Sequence, residues 1–106
     1  MTYTPDKWEI VKYESDQGVW YKVLGSWSGG YLDGDSWRLS SGIKSIELVG
    51  DTYEVLNESG STYKIGKNSR GMNIIGASVY NQIVEAGEKE NIKVSTIDIK
   101  DYRGDK

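Results

Sequence analysis

Short β-forming runs, broken every few residues by turn-forming glycines, constrain this chain more than anything else in it. The clearest case is Gly18 to Ile43, which holds Trp20, Trp27, Trp37 and two tyrosines around Ser28-Gly29-Gly30 and Asp33-Gly34-Asp35-Ser36. Alternating β-formers separated by residues that tolerate positive φ read as strand–turn–strand. Further on, Ile43–Val49 meets Thr52–Leu56 through Gly50-Asp51, and Asn57-Glu58-Ser59-Gly60 turns into Ser61–Ile65. Glycine at the first of two central positions suits a type II′ hairpin. The pairs Ile46/Leu48, Tyr53/Val55 and Tyr63/Ile65 give one apolar face, with Glu47, Glu54 and Lys64 facing away.

Upstream, Lys7–Tyr13 alternates as a first strand, and Ser15-Asp16-Gln17-Gly18 turns it into Val19–Leu24. That second run is apolar on both faces apart from Lys22, as in a strand covered on two sides. Ser36–Ser40 follows as another short strand. After the polar, basic loop Gly66–Asn73 the period changes: Ile75, Val79, Ile83 and Ala86 fall on one helical stripe. Ser78 is a candidate N-cap and Gly87 a candidate C-cap. Ile92–Ile99 alternates again as a final strand. The pattern predicts one domain over residues 1–106: α+β, mostly β, a small bent antiparallel sheet or open barrel of SH3-like or Sm-like size. One C-terminal helix and a last strand complete it. The helical stripe is expected to close the core against Val23, Ile46 and Val55.

Composition removes whole classes of chemistry. The 106 residues contain neither cysteine nor histidine. Disulfides, thiolate or imidazole metal sites, and Ser-His or Cys-His nucleophiles are therefore out of reach. Asp33 and Asp35 could hold only a hard cation, and the rest of a calcium-loop spacing is missing; turn geometry alone accounts for them. No cofactor, metal site or enzymatic activity is expected. Phenylalanine is absent beside eight tyrosines and four tryptophans, so rings with polar tips must build both core and surface. No apolar run is long enough to span a bilayer, and MTYTPDKWEI carries no apolar leader. A cytoplasmic location without membrane contact is the default expectation.

The net charge of −3 hides a split. Between Glu58 and Glu85 there is no acid, only Lys64, Lys67 and Arg70. Tyr63 with Lys67 and Arg70 therefore looks like the edge on which small barrels hold single-stranded nucleic acid, through salt-sensitive, weak contacts. A solvated loop is the competing reading. Trp27 and Tyr31, beside Gly29-Gly30, are loop aromatics of the kind that stack on a base or a peptide proline, and Trp8, Trp20 and Trp37 read as core.

The segments Ser26-Trp27-Ser28-Gly29-Gly30-Tyr31-Leu32 and Gly34-Asp35-Ser36-Trp37-Arg38-Leu39, ahead of Ser41-Gly42-Ile43, resemble a pattern in small uncharacterised proteins of T4-like marine tailed phages. Tyr63-Lys64 and Asn81-Gln82 are similar to that pattern too. The resemblance implies a viral protein made in a bacterial host's cytoplasm and implies no catalytic residue. Together these features predict a non-enzymatic binding module with contacts at Trp27, Tyr31, Tyr63, Lys67 and Arg70, and with single-stranded nucleic acid or a host protein as partner. The alternative is an assembly protein that forms homo-oligomers through the strand edges Lys7–Tyr13 and Lys93–Ile99.

Overall fold

Asp16 and Gln17 join two strands with no residue to spare. In the computed structural model, which describes residues 1–29 and 34–103, β2 (Lys7–Ser15) and β3 (Gly18–Trp27) pair antiparallel from Ser15 opposite Gly18 through to Lys7 opposite Ser26. Short β4 (Ser36–Leu39) pairs with the far end of β3, and β8 (Lys93–Ile97) pairs with the other edge of β2. This first sheet runs β4-β3-β2-β8. The second runs β1-β7-β6-β5, from β1 (Thr2–Tyr3), β7 (Thr62–Gly66), β6 (Thr52–Asn57) and β5 (Ile43–Val49). Its β1–β7 pairing is parallel and the rest antiparallel. Gly50 has φ +64 while Asp51 is not among the described residues with positive φ, the II′ pattern the sequence predicts. The rows Ile46–Val55–Tyr63 and Leu48–Tyr53–Ile65 align across the meander as the alternation requires.

Both faces of the first sheet are covered, which explains why β2 and β3 are apolar on both. Trp8, Ile10, Tyr21 and Val23 point to the second sheet and form one core with Ile43, Val55, Tyr63 and Ile65. Val11, Tyr13 and Leu24 point the other way and meet Val79 of α1 (Ile74–Lys89), flanked by Tyr80, Ile83 and Val94. The order of layers is second sheet, first sheet, helix. The result is a small α+β fold, mostly β and not closed into a complete barrel, with one helix followed by a last strand. Among the described residues no helix is long and apolar enough to cross a membrane.

Three expectations change. The helix does not close the core against Val23, Ile46 and Val55, because the second sheet already occupies that side of β3. The helix starts at Ile74, next to the Ile75 of the predicted stripe, and its N-cap is Asn73 and not the alternative Ser78: the Asn73 carboxamide oxygen accepts from Gly76 N–H at 2.8 Å while its amide donates to the Trp27 carbonyl at 3.0 Å, so one side chain caps the helix and ties it to β3. And β2 is an interior strand, which removes Lys7–Tyr13 as an edge for self-association; Lys93–Ile97 is an edge as expected.

Gly87 lies inside the helix instead of capping it, where the chain turning into β8 crosses close above. A Cβ there would sit 2.8 Å from both the Ile92 carbonyl oxygen and Val94 Cγ2. Gly87→Ala gains about 1 kcal/mol of helix propensity but forces apart a contact with backbone, so a net loss of about 1–3 kcal/mol is expected. A urea midpoint at or above that of the wild type would show that the crossing can give way.

Candidate functional site

The end of the β3–β4 pair, next to β1, gathers the exposed aromatic surface. Register sets Trp27 opposite Ser36 and Gly25 opposite Arg38, so Trp27 and Arg38 share a face, while Trp37 opposite Ser26 lies on the other. The Trp27 indole N–H donates to the Thr4 carbonyl at 3.0 Å, which fixes the half-buried ring. Arg38 places its guanidinium carbon 4.4 Å from the centre of the Tyr3 ring, a cation–π distance. Tyr3 in turn leans on Tyr63, with ring centres 5.0 Å apart. A cleft of about 470 Å3 opens here, lined by Tyr3, Trp27, Trp37 and Arg38, with Gly29, Gly34 and Ser36 at its loop end.

The loop carboxylates nearby hold backbone. Asp6 accepts from Ser28 N–H at 2.8 Å and Asp35 from Gly29 N–H at 3.2 Å, which is turn chemistry, as the spacing of Asp35 suggests. Asp33 and Tyr31 fall outside the described residues. Among the described residues no group of three carboxylates could hold a metal ion.

Of the predicted contacts among the described residues, Trp27 alone lines this cleft. Tyr63 is 1% exposed and belongs to the core, under Tyr3, so it has no free face on which to stack a ligand. Burial pushes its hydroxyl above the usual tyrosine value, and the nearby Arg38 charge pulls against that shift. Arg70 is ion-paired with Glu9 at 2.9 Å and faces Asp98 at 3.7 Å, so its charge is already answered within the protein. Lys67 is exposed, and its backbone N–H donates to the Asp51 backbone carbonyl at the β5–β6 turn. The Gly66–Asn73 loop is therefore a clasp on the start of β2: Trp8 N–H donates to Ser69, Gly71 N–H donates to Trp8, and Trp8 and Arg70 form a short parallel bridge.

Trp37, expected in the core, is 45% exposed because four-residue β4 is an edge strand. Two cleft residues escape sequence reasoning. Arg38 had the signal of alternating with Trp37 on one strand; Tyr3 had none, since two residues carry no period. No protein family, curated protein or solved structure matches this chain.

Proposed function

We propose that this protein is a non-enzymatic binding module whose cleft at Tyr3, Trp27, Trp37 and Arg38 takes up a segment of a partner protein. The observation that supports this most is that Trp27 and the exposed Arg38 share one face at the sheet edge, in a cleft that Trp37 of the other face also lines. Tryptophan and arginine are the residues that dominate binding energy at protein interfaces. The Arg38 guanidinium is held by the Tyr3 ring and by Tyr63, but among the described residues no carboxylate pairs with it, so its charge would favour an incoming acidic group.

A protein partner is favoured over nucleic acid. The cations that would track phosphates, Lys67 and Arg70, stand away from the cleft, and Arg70 is occupied by Glu9 and Asp98. The viral origin implied by the Trp20–Ile43 pattern makes a protein of the bacterial host, met in its cytoplasm, the partner in this reading.

A displayed peptide library selected on the wild type and re-measured on Trp37→Ala and Arg38→Gln tests the proposal. Selected peptides should lose on the order of tenfold or more in affinity, with melting temperatures little changed because both side chains are exposed. Equal affinities across the three proteins, or tryptophan quenching by an oligonucleotide that survives added salt, would count against it. Sedimentation as a concentration-dependent dimer, unaffected by either variant, would favour self-association through the β8 edge instead.

A further inference from the structure

β3 is longer than its partner on the outer side. β4 covers only Leu24 to Trp27, and the chain leaves through Ser40. The Ser40 N–H donates to the Val23 carbonyl at 2.9 Å, and the Ser40 hydroxyl accepts from Val23 N–H at 2.8 Å. Val23 thus turns its peptide groups away from β2. The two-residue turn gives the same phase, because Ser15 and Gly18 close it and Trp20 and Lys22 then bond toward β2. By alternation the N–H and C=O of Tyr21 and Val19 point outward as Val23's do. Among the described residues no strand pairs with them.

Facing this edge is a second wall, made by the crossover Ser41-Gly42-Ile43 and by Glu58, and the groove between them has a volume of about 460 Å3. The wall is held firmly. Glu58 N–H donates to the Gly42 carbonyl at 2.8 Å, and the Ser41 hydroxyl accepts from Ser59 N–H at 3.0 Å. The Glu58 carboxylate folds against Gly42, where a Cβ would come within 2.8 Å of Oε1. No cation among the described residues pairs with Glu58. Lys22, on the same groove, directs its ammonium toward the Tyr13 ring, 5.6 Å from the centroid.

The geometry points to a second binding site, separate from the aromatic cleft: the groove accepts an extended peptide of another protein, which adds as a short strand to the Val19–Tyr21 edge and sets a lysine or arginine against Glu58. Outward peptide groups two residues apart match the backbone of a β-strand. The far wall, Ser41-Gly42-Ile43 with Glu58, lines the same groove as this edge, so a strand added there lies beside the Glu58 carboxylate. The unpaired carboxylate selects a cation.

The test uses two capped pentapeptides, Thr-Val-Lys-Val-Thr and Thr-Val-Glu-Val-Thr, titrated into the full chain labelled for amide NMR. The lysine peptide should shift the Val19 and Tyr21 amides and slow their exchange, with the glutamate peptide about tenfold weaker, a difference of about 1.4 kcal/mol. Val19→Pro removes an outward N–H without touching the β2 ladder, and should abolish the shifts. Glu58→Gln needs no backbone change, so it stays informative even if the proline variant unfolds, and it should erase the preference between peptides. Trp37→Ala should leave all of this intact, which separates the site from the aromatic cleft. Absent shifts at saturating peptide, shifts that persist in a folded Val19→Pro, or an edge already protected in a dimer without peptide would each overturn the proposal.

Discussion

Trp8→Ala is expected to lower stability by about 3–5 kcal/mol, the range for truncating a large buried aromatic. A domain of this size holds roughly 5–15 kcal/mol in total, so the variant should be largely unfolded at modest denaturant and melt more than about 12 °C lower. The magnitude follows from position. Trp8 is 2% exposed at the start of β2, meets Tyr53 edge-on with ring centres 6.2 Å apart, and donates its indole N–H to the Gly66 carbonyl at 2.7 Å. It therefore joins the two sheets by packing and by a hydrogen bond, and its backbone carries the clasp loop as well. Trp8→Phe keeps most of the ring contact but removes the indole donor to the Gly66 carbonyl, which retains the Ser69 N–H at 3.0 Å, so a smaller, intermediate loss should separate the two contributions. A chemical-denaturation midpoint within about 1 kcal/mol of the wild type for Trp8→Ala would mean that the sheets are not joined through this residue.

Val79→Asp should be comparably damaging, at about 3–5 kcal/mol, the range for a buried charge left without compensation. Val79 is the buried aliphatic of the helix and faces Val11, Tyr13 and Leu24. The side chains it meets there are apolar, and the Lys22 ammonium at the margin is held over the Tyr13 ring, 5.6 Å from its centroid. Ile83→Asp, one turn on and only half-buried, should cost distinctly less, since the side chain can reach water. The contrast is the diagnostic feature: equal losses at both positions would place the helix in a different rotation on the sheet. The introduced carboxyl at position 79 should also make the variant regain stability in acid, where the group is neutral.

How much of this was legible in the sequence depends on whether the deciding contact was local. The β5–β7 meander was, because Gly50-Asp51 and a strict alternation specify both turn and register without help from elsewhere. The helix was legible as a period but not at its ends. Asn73 caps it by also holding the Trp27 carbonyl, 46 residues away, and Gly87 is demanded by the chain crossing at Ile92 and Val94. Such requirements leave no trace in a window of neighbours. The candidate site fared worse for the same reason. Arg70 reads as a free cation until Glu9, 61 residues earlier, is brought against it. Tyr63 sits on the apolar face of its strand by simple alternation, and that pattern, given its due weight, points to the core in which the structure places it. Trp27 was legible as a cleft aromatic because a turn beside a strand end exposes what precedes it.

The break in pairing between Ile43 and Ser45 on β5 has a consequence for how copies of this chain meet. β5 ends its sheet with Leu48 and Val49 about half exposed, an invitation to stack chains into an open-ended ribbon. An arriving strand that matched Ile46 to Val49 would lose step at Lys44, where one extra residue bends the margin away. A strand added on that flank would therefore keep register over only a few residues. The extra residue at Lys44 thus gives this margin a built-in limit on strand-on-strand addition.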